Sequence, residues 1–406
     1  MFGLIQNIVL SVVPFLLVLT LVVTVHELGH FLVARWLGVA VDRFAIGFGR
    51  PLFSRTDRHG VEWRIGWMPL GGYVRFSGDA EASSSVPDGD SLAEMKAEIV
   101  AREGVGAERR YFHFKPVWVR ALVVAAGPFA NFLLSIVLFA LLLGVIGETV
   151  VSPRVGEVTP NSPAARAGFQ TGDLVTAIEG RPISDFLELR QYVALRAGEP
   201  IRFAVDRGGR TLELTATPER GSGADKAAGD AKLGFLGLRS SGLAADMHRR
   251  RYNPIEAVGA GVKRTWSILD TTTFYLGRII RGLESGDQLG GPLRIAAVAK
   301  AGAEAGAEGA VDLGGKLMGG AVALLSLAAV LSVGIGFMNL LPVPVLDGGH
   351  LLFYAYEALA RRPVAASVQA AGYRVGLALL LGLMLFATWN DLQQLRVFKF
   401  LGSLFS

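Results

Sequence analysis

Val12-Val13-Pro14-Phe15-Leu16-Leu17-Val18-Leu19, which runs on into Val25-His26-Glu27-Leu28-Gly29-His30, decides how this chain is read. No residue from Met1 to Val25 is charged, so the segment has the polarity and length of a membrane-spanning helix. On a helix His26 and His30, four residues apart, share a face and can reach one metal ion, while Glu27 can hold a water beside it. Histidine and glutamate are costly in hydrocarbon, so their presence there calls for a functional explanation. Two core histidines of a soluble helix are the bland alternative, and the apolar setting argues against it. A cleaved signal peptide is the other alternative, discounted because the stretch lacks a basic n-region, is too long and carries His-Glu-His.

The rest of the chain keeps this character. Hydrophobic residues make up 51% of the 406 and charged residues 18%, against about 25% charged in ordinary soluble domains. The expected spans are residues 1–37, 117–147, 317–347 and 371–395, each near or above the ~20 residues a crossing needs. Cysteine is absent, which excludes thiolate metal ligands and a cysteine nucleophile. Lys and Arg crowd the loop from Arg35 to Arg120, and Arg361 and Arg362 follow the third span, whereas the N-terminal tip has none. The positive-inside rule then places loop 38–116 and connection 348–370 in the cytoplasm. Segment 148–316 and both termini, including tail 396–406, fall outside. That topology accounts for the formal charge of +5, and no nucleic-acid partner is expected.

A catalytic zinc takes three protein ligands and keeps one position open. The best third candidate is Asp347, in Asn339-Leu340-Leu341-Pro342-Val343-Pro344-Val345-Leu346-Asp347-Gly348-Gly349-His350. Pro342 and Pro344 break a helix, and broken backbone at membrane depth is tolerated only in a protein-buried or water-lined place. A plain turn at the interface is the alternative for Asp347-Gly348-Gly349. A metal that lowers the pKa of water to about 7 would let Glu27 take the proton and hand it to a leaving amine. The motif lies late in an inward-running span, so the site is expected to open towards the cytoplasm.

Glu62-Trp63-Arg64-Ile65-Gly66-Trp67-Met68-Pro69-Leu70-Gly71-Gly72-Tyr73-Val74-Arg75-Phe76 mixes aromatics, β-formers and glycine pairs, the pattern of a hairpin with interfacial tryptophans. An exposed edge there could take up an unwound peptide as an added strand. In the outer segment, Asn161-Ser162-Pro163-Ala164-Ala165-Arg166-Ala167-Gly168-Phe169-Gln170-Thr171-Gly172-Asp173 resembles a bacterial PDZ domain over 151–220. Its groove is expected between a strand at Val155–Val158 and a helix carrying Phe186, Leu189 and Val193. Such a module either binds a peptide or blocks access by bulk. Residues 221–316 read as a linker, flexible over 221–232, then an amphipathic helix over 255–283 lying on the outer membrane surface or against the module. Residues 301–309 read as a low-complexity surface connection.

These motifs together resemble the site-2 proteases, intramembrane zinc metalloproteases, and within them the bacterial regulator-of-sigma-E type. The resemblance rests on the HELGH run, on Gly127-Pro128-Phe129-Ala130-Asn131, on Pro69-Leu70-Gly71-Gly72-Tyr73-Val74, and on Asn339 with Leu346-Asp347-Gly348. It implies one zinc per chain held by His26, His30 and Asp347, with Glu27 as acid/base. It implies that Asn131, Asn339, Pro342, Gly71, Gly72 and Tyr73 position substrate, and that the hairpin, about 62–78, re-enters the membrane. The expected architecture is a polytopic α-helical membrane protein of four transmembrane helices, a membrane-associated β-hairpin, and an α+β PDZ domain between the second and third spans. The implied role is regulated intramembrane proteolysis in the bacterial inner membrane, as part of a stress response. Its substrates would be single-pass proteins already trimmed by a site-1-type protease, such as anti-sigma factors, and remnant signal peptides. Relatives of this type carry two tandem PDZ domains, whereas one such pattern is found here. A non-catalytic PDZ scaffold leaves the intramembrane His-Glu-His unexplained, and a metal transporter leaves the general-base glutamate unexplained.

Overall fold

The computed structural model describes residues 2–78, 89–220, 234–283, 286, 290–307 and 312–394. The expected flexible linker at 221–232 and the tail 396–406 lie outside these. The chain divides into two units, residues 1–142 with 257–406, and residues 143–256.

The first unit opens with helix α1 (Phe2–Trp36), whose apolar run needs no partner other than itself for its backbone hydrogen bonds. Strands β1 (Val41–Thr56) and β2 (Glu62–Phe76) form the hairpin sheet, which therefore begins well before residue 62. Phe44, Ala45 and Ile46 face Val74, Tyr73 and Gly72 on one edge and Trp63, Arg64 and Ile65 on the other. The sheet is anchored by Phe31, Phe44 and Trp63, whose rings pack 5.0 to 5.2 Å apart. Helices α2 (Gly89–Glu103) and α3 (Val117–Val145) follow.

The second unit carries strands β3 (Glu148–Val151), β4 (Val155–Val158), β5 (Leu174–Ile178), β6 (Arg181–Pro182), β7 (Ile201–Arg207) and β8 (Arg210–Ala216), with short helices α4 (Pro163–Arg166) and α5 (Phe186–Ala194). Strands β9 (Glu219–Arg220), β10 (Gly234–Phe235), β11 (Leu238–Ser240) and β12 (Met247–Arg250) complete it. The central sheet has the order β6-β5-β7-β8, and β4 pairs with β11, β3 with β12 and β9 with β10. The unit thus extends past residue 220: Leu236 lies in the same core as Val175, Ile178 and Phe203.

The expected groove needs correction. Beside β11 on one edge, β4 exchanges backbone bonds on the other, with Val155 N donating to Asp173 O and Gly172 N to Val155 O, both 2.8 Å. With β11 on one edge and Val155 bonded on the other, β4 has no free edge at Val155 for an added strand. Val155, Leu189 and Val193 are core residues, and Val158 and Phe186 pack against that core. The strand that reaches α5 is β10, where a Cβ on Gly234 would lie 2.3 Å from Val193 O.

Back in the first unit, α6 (Pro254–Ile280) packs on α3: Ala257 and Thr265 are buried, Gly261 abuts the Ile136 carbonyl, and Ser135 and Thr265 share a 3.1 Å hydrogen bond. Neither expected position of this helix, on the membrane surface or against the outer module, describes that contact. α7 (Pro292–Ala307) packs along α1 and α8, so 301–309 is in large part helix. Its glycines and alanines allow close approach where bulkier residues would not. α8 (Leu313–Asn339) ends eight residues before Asp347, and 348–370 is mostly α9 (Asp347–Ala360) with the start of α10 (Ala366–Gln394). Among the described residues, α1 (from Val12), α3, α8 and α10 are long and apolar enough to cross a membrane, which is the expected number of spans.

Candidate metal centre

Three helices build the centre. α1 carries His26 and His30 one turn apart, and α3 crosses it through a stripe of residues spaced by four, Val123, Gly127 and Asn131. The crossing is close: a Cβ on Gly29 would sit 2.4 Å from Ala126 O, and one on Gly127 would sit 2.3 Å from His30 Nε2. Small residues are what let two apolar helices meet this tightly. Pro128 interrupts the α3 backbone ladder, and in the preceding turn the Val123 carbonyl accepts a 2.8 Å hydrogen bond from His30 Nδ1. A carbonyl can only accept, so Nδ1 carries the hydrogen and Nε2 keeps a free lone pair.

α9 delivers the third group. Residues 340–346 turn sharply after α8, and Asp347 opens α9, where the helix dipole favours a carboxylate. Gly348 and Gly349 are required by contact: a Cβ on either would lie 2.3 to 2.4 Å from the backbone of Leu341 or Pro344. The result is that His26 Nε2 and His30 Nε2 stand 3.2 Å apart, with Asp347 Oδ2 at 3.1 Å and 3.6 Å from them. Donors bound at about 2.0–2.1 Å around a tetrahedral zinc would be about 3.3 Å apart, so the spacing fits. The chemistry fits too: Asp347 Oδ2 is buried and accepts no well-directed hydrogen bond, and a buried carboxylate oxygen left so is costly. Among the described residues this trio is the one cluster of three that could hold a metal ion.

Glu27 meets the sheet rather than the trio. Its Oε2 accepts the Val74 N–H at 3.1 Å, and its Cγ lies 3.6 Å from where a Cβ on Gly72 would be. Since strand amides alternate in direction, Gly72 presents its N–H and C=O to the same side as Val74, away from β1. The middle of β2 reaches further along the span, with Thr20 Oγ1 donating to Pro69 O at 2.7 Å. Phe48, Leu52, Phe53, Trp67 and Leu70 around it are exposed.

The other expected residues fall in different places. Gly71 is buried beside Val23, at φ 120, a conformation favouring glycine. Tyr73 points to the opposite face, stacked on Phe48 with its hydroxyl 3.4 Å from Arg43. Asn339 closes α8, and Pro342 is exposed in the turn after it. Asn131 is fully buried against His26. Sequence reading missed the Val123 carbonyl and the Val74 N–H, because backbone groups leave no residue-type signal. It also missed Ser332, whose hydroxyl donates to Asn131 O at 2.8 Å.

A pair of imidazoles and a carboxylate converging inside apolar helices, with a second carboxylate alongside, define a metallohydrolase site. The family model "Peptidase family M50" matches residues 14–383. Metalloprotease MmpA of Caulobacter vibrioides is 50% identical over 397 residues, covering 98% of this chain and 99% of that protein. Regulator of sigma-E protease RseP of Salmonella typhimurium is 30% identical, covering 96% of this chain and 100% of that protein. That second alignment spans 487 positions, more than the 406 residues here, so RseP has segments with no counterpart in this chain. The chain belongs to peptidase family M50 and is a zinc metalloprotease.

Proposed function

We propose that this protein is an intramembrane endopeptidase of the bacterial inner membrane that cuts transmembrane segments of single-pass proteins. The observation that carries the reading is the convergence of His26, His30 and Asp347 on one point within apolar helices, with Glu27 tied to a strand edge beside them. His26 Nε2, His30 Nε2 and Asp347 Oδ2 would hold one zinc. When bound, zinc supplies Lewis-acid polarisation of a carbonyl and acidifies water to a pKa of about 7. Glu27 takes the proton of the attacking water and returns it to the leaving amide nitrogen, while the Val74 N–H fixes its carboxylate.

A helical peptide bond is wrapped and hydrogen-bonded, so the target has to be held extended. The outward amides at Gly72, in the Gly71-Gly72-Tyr73 stretch, offer an edge on which a strand can be added within reach of Glu27. Asn339 and Pro342 would guide the target from the α8 side. The middle of the hairpin, with its exposed aromatics beside the Pro69 carbonyl held by Thr20, would re-enter the membrane. The second unit is read as a single PDZ domain on the periplasmic side, filtering substrates already shortened by a site-1-type protease, with the catalytic site opening to the cytoplasm. Anti-sigma factors are the first substrate class, in keeping with the name of the regulator of sigma-E protease relative, and remnant signal peptides the second.

Purified protein in detergent, incubated with anti-sigma transmembrane segments, should cleave them and stop on addition of a chelator. Glu27→Gln should keep its zinc and lose 10²- to 10⁴-fold in cleavage rate. Undiminished cleavage by that variant would remove the assigned mechanism.

A further inference from the structure

Asn131 poses a problem of hydrogens that the substrate-positioning role does not solve. It is fully buried in the middle of α3, and its backbone carbonyl is held by Ser332 of α8. Its side-chain nitrogen Nδ2 faces His26 Nδ1 at 3.3 Å, while its oxygen Oδ1 is buried without a hydrogen-bond partner among the described residues. If His26 binds zinc through Nε2, its other nitrogen Nδ1 must carry the hydrogen. Two donors would then face each other, N–H against N–H, with an acceptor stranded on the same amide. The two ends of an amide are told apart by their hydrogen bonds, and turning this one by half a rotation ends the donor–donor clash and lets the oxygen accept the His26 hydrogen.

We infer that Asn131 is a positioning residue of the zinc site, its amide oxygen accepting the Nδ1–H of His26 so that Nε2 faces the ion. The arrangement mirrors His30, whose Nδ1–H is taken by the Val123 carbonyl two α3 turns away. Each ligand histidine is thus fixed in one tautomer by an oxygen from the same α3 stripe, on either side of Gly127. Outer partners of this kind orient ligand rings and raise their basicity, and their loss typically lowers metal affinity 10- to 100-fold.

The inference rests on the assignment of His26 as a zinc ligand, and the test separates the two. Zinc affinity is measured on the full-length protein in detergent by chelator competition, and Co²⁺-loaded samples report coordination by their visible absorption. Asn131→Leu, similar in size but without an acceptor, should lose 10- to 100-fold in zinc affinity and alter the cobalt spectrum. Asn131→Asp, which keeps an acceptor and removes the NH₂, should hold zinc within a few-fold of the native protein. A structural role would lower both variants alike, and an amide that donates to His26 would make Asn131→Asp the weaker binder. Either result overturns the inference, as does native affinity in Asn131→Leu. If Asn131→Leu does not fold, Asn131→Asp decides alone: native affinity sustains the inference and a tenfold loss ends it. His26→Ala serves as the control for the ligand assignment, which fails, independently of Asn131, if that variant binds zinc as the native protein does.

Discussion

Asp173, buried in the second unit, and Asp347, half-buried in the membrane unit, are treated in opposite ways. Asp173 in the second unit is closed by its own fold: Arg207 grips it with two hydrogen bonds of 2.7 and 2.8 Å, and the Gln170 N–H adds a third at 2.9 Å. Burial alone would raise its pKa, but the guanidinium and the amide hold it below the ordinary aspartate value. Asp347 in the membrane unit has equally poor access to water on its inner oxygen, yet its nearest neighbours are two imidazole nitrogens and no well-directed donor. A carboxylate that the chain satisfies by itself serves the fold. One that the chain buries and leaves open is kept for something the chain binds.

The largest effect that would test this contrast is on catalysis. Asp347→Ala should reduce cleavage at least 10³-fold and release zinc. The metal-free variant should melt no lower than the metal-free native protein, since an unpaired buried acceptor is removed. A fall of several degrees would mean that Asp347 holds the fold together as Asp173 does. The next effect is on stability. Asp173→Ala removes both Arg207 bonds and the one from the Gln170 N–H and should lower the stability of the second unit, read by hydrogen exchange in β5 and β7, with zinc content unchanged. Because the folded pKa of Asp173 is depressed, its contribution is complete above the unfolded value of about 3.9 and disappears as pH falls through the folded value. Native protein should therefore lose protection in those strands more steeply below pH 4 than Asp173→Ala does. The smallest effect concerns Glu27. Val74→Pro deletes the N–H that holds its carboxylate, on a strand edge that tolerates proline. It should slow cleavage about tenfold, the size of one charge-assisted hydrogen bond, while leaving zinc affinity in place. Loss of zinc in that variant would show that the sheet supports the ligands as well as the base.

How much of this was legible in the sequence depended on how far apart the partners lie. His26, Glu27 and His30 sit within one helical turn, so spacing alone places them, and the proline break before Asp347 marks an unusual helix end. The α1–α3 crossing was present as Gly29 and Gly127, although nothing local says that the two glycines meet. The groove at Val155–Val158 went wrong because β11 pairs with β4 from some eighty residues further on, a non-local pairing that alternation in a short strand cannot reveal. In sequence, Gly348-Gly349 signals a turn and 348–370 a connection, whereas the structure uses those glycines to seat the start of α9 against backbone. α7 was hidden by its Gly/Ala composition, which looks like a linker in sequence and is a packing surface among apolar helices.

The crossing of α1 over α3 has a mechanical corollary. With a carbonyl pressed where a methyl group on Gly29 would go, and an imidazole where one on Gly127 would go, there is no slack volume into which either rod can roll. The spacing of α1, with both its imidazoles, from α3 is therefore set by close contact, like the jaw opening of a locked vice. Any widening that lets a guest chain enter has to be borne by other helices, with the jaws staying shut.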